Sequence, residues 1–287
     1  MRAKSRRFRT GLRLAALLAL IGGMLPAVQT AAIAPAQAAF GISQRKGIDG
    51  CTFSNNTQTH AFWSGTPYYN LGIYLGGVAY GSGCSLLDAA EISYAANTDG
   101  WEAMFLWVGR QPPCTNISAP TFSSNTSTAR SQGQDEAVQI YQRLNALGLD
   151  TLNTPVIYDF EPWNTGSSSC VAAVRAFVGG FVQQMHLPPA QKAGFYGSSC
   201  ASGIYLLTGA SPVPDFITGA AWSTGTPNTR VLPCVSSSSW TNHQRHKQYQ
   251  GDHPETWNGV TVRVDSDCSD GPIYPGPDEL NIGQGCV

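Results

Sequence analysis

Charge is scarce in this 287-residue chain: Asp, Glu, Lys and Arg together make up 12% of it. Much of the positive charge sits at one end. Six of the 17 basic residues, Arg2, Lys4, Arg6, Arg7, Arg9 and Arg13, fall within the first 38 positions, which hold none of the 18 acids. Beyond them 11 bases face 18 acids, a net charge of −7. An acidic surface argues against nucleic acid as a partner. Several chemical signatures are also missing. The one run near a serine-nucleophile turn, Gly197-Ser198-Ser199-Cys200-Ala201, lacks the second glycine of G-x-S-x-G. His60, His186, His243, His246 and His253 form no H-E-x-x-H pair, and His243 with His246 is expected on a solvated face. Asp265, Asp267 and Asp270 resemble a calcium loop, but Ser269 and Asp270 occupy its fifth and sixth positions and no glutamate closes it. Neither a metal nor a cofactor is expected. There is no C-x-x-C pair, no internal repeat and no charge run.

The basic start is followed by an apolar stretch over residues 14–25 and by Ala36-Gln37-Ala38, a small-residue cleavage site. Together they specify a secretory signal peptide over residues 1–38, and the apolar stretch is too short to be a spanning helix. Residues 39–287 are then expected as a single domain, secreted or cell-wall associated, monomeric, with no membrane insertion after cleavage. About 250 residues is a typical length for one α/β barrel. All eight cysteines lie beyond the leader, and an even number in an exported chain implies up to four disulfides.

Extended and helical stretches alternate along the rest of the chain. Strands are expected over residues 46–49, 71–75, 103–108, 155–161, 193–196, 217–222, 247–249 and 261–265. Helices are clearest over 135–147, where Val138, Tyr141, Leu144 and Leu147 share one face before Gly148, and over 171–185; shorter ones are expected over 86–97 and 201–207. Eight strands separated by helices predict a (β/α)8 barrel of the TIM type. Residues 225–239 and 272–287 read as loop, so the last third is expected to be irregular. Cys51, Cys84, Cys114, Cys170, Cys200, Cys234 and Cys268 each follow a strand within about a dozen residues, which predicts disulfide-stapled loops on the carboxyl-end face, where barrel enzymes carry their sites.

The most informative stretch is Thr154-Pro155-Val156-Ile157-Tyr158-Asp159-Phe160-Glu161, followed by Pro162. Its apolar residues suit a covered parallel strand, and its two acids belong at the strand's exit. Alternation puts Asp159 and Glu161 on one face, and Pro162 ends the element. Two carboxylates held together at a strand end suit glycoside hydrolysis, in which one acid is protonated and another ionised. Asp49 closes the first strand and Asp265 the last. In a closed barrel those strands are neighbours, so the two acids should face Asp159 and Glu161 across the mouth. Mutual repulsion should raise the pKa of the least solvated member. Tyr74, Trp107, Trp163, Tyr196, Trp222 and Tyr249 are candidates for stacking on sugar rings, with about half expected in ordinary packing.

Gly47-Ile48-Asp49, Tyr158-Asp159-Phe160-Glu161, Gln248-Tyr249 and Val264-Asp265 resemble the Chalaropsis-type lysozymes, which are barrel muramidases. A closer resemblance spans residues 47–271. It rests on Gly47-Ile48-Asp49-Gly50-Cys51, Gly72-Ile73-Tyr74-Leu75-Gly76-Gly77, Gln111-Pro112-Pro113-Cys114, Phe195-Tyr196-Gly197-Ser198, Gln248-Tyr249 and Glu255-Thr256-Trp257-Asn258-Gly259-Val260. These are similar to the glycoside-hydrolase-like domain of exported actinobacterial proteins. The resemblance implies a variant barrel and a glycan partner, with peptidoglycan the first substrate guess. On the lysozyme pattern Glu161 would be the general acid, and Asp159 would orient the substrate's N-acetyl group or attack directly. Asp49 and Asp265 would shape the field and hold the sugar. The other reading it leaves open is a glycan-binding or envelope-organising protein that keeps the barrel and has lost turnover.

Overall fold

The computed structural model describes residues 41–149, 152–274 and Cys286. The expected leader lies outside them. Nine strands form one sheet: β1 (Gly41–Ser43), β2 (Lys46–Asp49), β3 (Asn70–Gly76), β4 (Glu102–Trp107), β5 (Pro155–Asp159), β6 (Lys192–Ser198), β7 (Phe216–Ala220), β8 (Arg245–Trp257) and β9 (Val260–Ile273). β2 to β8 run parallel in sequence order, and β9 closes the ring by pairing antiparallel with both β8 and β2. β1 adds to the free portion of β9. The expected eight-stranded barrel is therefore present, with each of its strands overlapping a predicted one.

The closing strand differs from the regular pattern. A (β/α)8 barrel would place a helix between its last two strands, whereas here Asn258 and Gly259, both at positive φ, turn β8 straight into β9. Asn-Gly is the residue pair that such a two-residue hairpin turn prefers. This hairpin packs on α1 (Asn56–Gly65), where the Asn258 amide donates to the Ala61 carbonyl and to Ser64 Oγ. The irregular last third thus has a specific form: an antiparallel ribbon where a helix is absent. It also makes Asp265, Asp267 and Asp270 members of one continuous strand, not of a calcium loop.

Helices cover the parallel part. α2 (Ala89–Tyr94) begins with a reciprocal capping box between Asp88 and Glu91. α3 (Thr126–Leu147) is capped by Asn125 and stops at Gly148 in the left-handed conformation, and α4 (Ser168–Met185) is capped by Ser167. α4 packs on β5 and β6 through an aromatic cluster, and α3 packs on α4. Tyr158 and Phe160 meet Phe177 of α4, and Tyr158 also meets Phe181. Helix 201–207 is replaced by a 3-10 segment, Ile204–Gly209. Neither α1, whose sequence shows no apolar stripe, nor β1 was expected. Among the described residues no helix is long and apolar enough to cross a membrane.

Four disulfides join Cys51 to Cys84, Cys114 to Cys170, Cys200 to Cys234 and Cys268 to Cys286. The first three follow a single rule. They link the segments after β2 and β3, after β4 and β5, and after β6 and β7, so six consecutive carboxyl-end connections are fastened in pairs. Cys268 departs from the expectation: it is buried within β9 opposite Lys46, at the start of β2, and so lies toward the other end of the barrel.

Candidate active site

The strand ends bring the four predicted acids into one electrostatic group. β2 and β9 pair Asp49 directly with Asp265. This adjacency arises because β9 runs antiparallel and delivers Asp265 from mid-strand, not from a strand end. Gly72 makes room beside it, since a Cβ there would lie 2.2 Å from the Asp49 Cβ. Asp159 ends β5, and Glu161 follows on an extended segment fixed by one side chain. The buried amide of Gln111 donates to the Asp159 carbonyl at 2.9 Å and accepts from the Glu161 N–H at 2.8 Å. Gln111 therefore sets the backbone on both sides of Phe160.

A second amide organises the opposite side. Gln248 Nε2 donates to Asp49 Oδ2 at 2.9 Å and to Asp265 Oδ2 at 3.1 Å. Its Oε1 accepts from the Tyr196 hydroxyl at 2.7 Å and from Trp222 Nε1 at 2.9 Å. The two donors on the oxygen fix the amide's orientation, which leaves its N–H groups for the two acids. Tyr74 completes the shell by donating to Asp49 Oδ1 at 2.9 Å. The Asp252 N–H donates to Asp265. A fifth carboxyl, Asp267, is buried on β9 and shares a hydrogen bond with Asp49.

Burial is the largest influence on each of these acids, and it disfavours their charged forms. It raises Asp49 against the pull of its hydrogen bonds to Gln248, Tyr74 and Asp267. It pushes Asp265 up to about 7, with Asp49 adding to the effect. Asp159, 6% exposed, rises well above the ordinary carboxyl range through burial and then through Glu161, Asp49 and Asp265. Glu161, half-buried, is raised by burial alone. Asp49, at 3% exposure, is the least solvated of the four, yet the repulsion among the acids falls on Asp159. The Asp159 Oδ1 has no hydrogen-bond partner among the described residues.

The six aromatic candidates divide evenly. Tyr74, Tyr196 and Trp222 stand in the acid group's shell. Trp107 faces outward from β4 and donates to Glu136 of α3, buried beneath that helix. Trp163 is also buried, its indole bonded to the Ser202 carbonyl. Tyr249 sits where the β8 register shifts between Gln248 and Gln250, and interacts with Tyr68 and Ser266 and, among the buried carboxyls, with Asp267. His246, expected on a solvated face, is instead fully buried in the barrel. It bonds Ser269 and the Pro272 carbonyl, and burial lowers its pKa to about 4. Gln111 and Gln248 were present in the recognised phrases but not among the candidate site residues.

A cavity of about 380 Å³ opens beside Glu161, between the ends of β5, β6 and β7. Tyr196 and Trp222 line it, and the Cys200–Cys234 bridge lies in its wall. Replacing Gln248 with Ala should leave two buried carboxyls without their shared donor. An unsatisfied buried polar group costs about 1–3 kcal/mol. The variant is therefore expected to lose on the order of 2 kcal/mol or more, read as a lower urea midpoint at unchanged slope.

A closed barrel with a carboxylate group at its carboxyl end and a cavity beside it is the architecture of a glycoside-hydrolase-like protein. The chain belongs to the Rv2525c-like, glycoside hydrolase-like domain family, whose model matches residues 61–269. No sequence among curated proteins matches it. Its fold is similar to that of an uncharacterized B. stearothermophilus protein, at 15% identity and a TM-score of 0.52 over 80% of this chain and 99% of that one. It is also similar to the Clostridium perfringens spore cortex lytic enzyme SleM, at 16% identity and a TM-score of 0.50 over 78% of this chain and 67% of that one. At these identities the likeness is one of fold.

Proposed function

We propose that the protein is an exported glycoside hydrolase that cleaves glycosidic bonds in peptidoglycan or a related cell-wall polysaccharide, with Glu161 as general acid. The observation that carries this reading is the partnerless Oδ1 of Asp159, next to Glu161 at the edge of an open cavity. A buried polar oxygen left unpaired is costly, and a substrate donor would relieve it. In the free protein the greater burial of Asp159 holds the pair's proton there. An acetamide N–H donating to Asp159 would favour its ionised form, and the proton would then reside on Glu161.

From that state the acetamide oxygen attacks the anomeric carbon while Glu161 gives its proton to the leaving glycosidic oxygen. Water then opens the cyclic intermediate, with Glu161 taking the water's proton. Attack by Asp159 itself is the other form of the same reaction. Asp49 and Asp265, fixed by Gln248, supply negative potential toward the positive charge that develops on the sugar ring when they are ionised, which for Asp265 takes a pH above about 7. Export is supported by the disulfides, which persist in oxidising compartments.

The test is release of new reducing ends when the purified protein is incubated with peptidoglycan and a panel of wall polysaccharides, with Glu161→Gln as control. Release by the native protein that the control lacks supports a hydrolase. Equal glycan binding by both with no release from any polymer would replace it with a binding protein on the same barrel.

A further inference from the structure

The cavity beside Glu161 has a distinctive chemistry. Among the described residues its lining contains no Lys, Arg or His, and Glu161 is the one carboxyl on it. Its other polar side chains are hydroxyls, those of Ser198, Ser199, Ser202, Ser223 and Tyr196. Beyond Glu161 stand Asp159, Asp49 and Asp265, close enough that all three disfavour ionisation of Tyr196. An anion in this cavity would meet no cation on the described lining, and the buried carboxyls behind it offer no countercharge.

Trp222 gives the cavity a fixed platform. Its ring lies against Gly251, where a Cβ would approach the indole to 2.4 Å, and its Nε1 is tied to Gln248. Even so, 55% of the residue remains exposed. A large aromatic ring that is anchored yet open offers a surface for the apolar face of a sugar. At about 380 Å³ the space is near the lower end of small-molecule pockets, which run roughly 300–1,000 Å³.

Resting on the hydrolase reading for the site's role, we infer that this cavity is a subsite for an uncharged sugar unit. The protein therefore discriminates against glycans that carry carboxylate, phosphate or sulfate at that unit. Discrimination of this kind is built from cost as much as attraction: stacking and hydroxyl hydrogen bonds accept any neutral pyranose of suitable shape, and an anionic group must leave water for a lining that offers it no cation.

The experiment is a titration followed by tryptophan fluorescence and confirmed by calorimetry. The probes are neutral tetrasaccharides of N-acetylglucosamine, glucose and galactose, and the 6-sulfated form of each. At least one neutral tetramer is expected to bind saturably, its sulfated form at least tenfold more weakly at low salt. Trp222→Ala should weaken the neutral tetramer at least tenfold while circular dichroism stays unchanged. Sulfated tetramers binding as tightly as neutral ones, or no neutral tetramer binding at millimolar concentration, would overturn the inference. The titration does not read turnover. Selective neutral binding without reducing-end release would remove the hydrolase reading and leave the charge selectivity standing.

Discussion

Glu161→Gln is expected to lower glycan turnover by roughly 10²–10⁴-fold, the range for removing a general acid, with little change in stability. Glutamine preserves the shape and cannot protonate a leaving oxygen. Because Glu161 is half-buried and its N–H bond to Gln111 comes from the backbone, the substitution leaves that anchor intact. Asp159→Asn should give a different pairing of effects. It removes a buried acid whose ionised form is opposed by burial and by Glu161, Asp49 and Asp265. The fold should gain stability near neutral pH, seen as a higher melting temperature, while turnover falls at least about a hundredfold. The two variants separate the roles. A leaving group that needs no protonation, such as a dinitrophenyl glycoside, should restore activity to Glu161→Gln and not to Asp159→Asn. Rescue of both, or of neither, would count against assigning proton donation to Glu161.

The different stability effects follow from where each acid sits, and that much was legible in the sequence. A covered strand ending in Asp-x-Glu before proline was expected to carry both acids at its exit; the strand ends two residues earlier than expected, at Asp159, with Glu161 just beyond it. The spacing of the cysteines after strands likewise placed seven of them in carboxyl-end connections, which holds for the six that form three bridges there and fails for Cys268. That failure shares a cause with the missed hairpin. The segment over residues 247–265 was read as two strands of a parallel set, although Asn258-Gly259 is a strong short-range signal for an antiparallel turn. Once β9 runs antiparallel, Cys268 moves toward the opposite end of the barrel while Asp265 stays beside Asp49, because their pairing is mid-strand.

The aromatic residues show a different limit. Leu106 and Trp107 are adjacent on β4, so alternation requires them to face opposite sides, and the Leu106 side chain approaches Gly72 beside Asp49. Trp107 was consequently destined for the outer face. For Tyr249 alternation was not enough, since the register shift after Gln248 determines its direction. Gln111 and Gln248 are harder still. A neutral amide is equally suited to solvent and to a buried network, and only the tertiary fold shows that Gln248 bridges two acids and two aromatic donors.

The same acids should make the protein most stable at mildly acidic pH, with a melting temperature several degrees higher near pH 5 than near pH 8. Asp49, Asp159, Glu161, Asp265, Asp267 and Glu102 are all raised in the folded state, chiefly by burial. In the unfolded chain such groups titrate near pH 4. Between there and their folded values, about 7 for Asp265, the unfolded chain has released protons that the native state still holds. Stability therefore falls as pH rises through that window. His246 acts in the other direction. It is held at about 4 when folded against an ordinary 6.5, so the unfolded chain takes up its proton first and stability falls as pH drops from 6.5 toward 4. Both windows overlap, and one histidine opposes six carboxyls, so the acids set the sign. Each pKa unit is worth about 1.4 kcal/mol at full effect, and about 1 kcal/mol moves the melting temperature by roughly 2–4 °C in a domain of this size. Asp159→Asn and Asp267→Asn should each flatten the slope between pH 5 and 8 by removing one of the groups that causes it. Calorimetric scans across that range decide the matter: a melting temperature that climbs from pH 5 to 8, or a slope that neither variant changes, would mean that these carboxyls are ionised and solvated, without the burial that raises their pKa values.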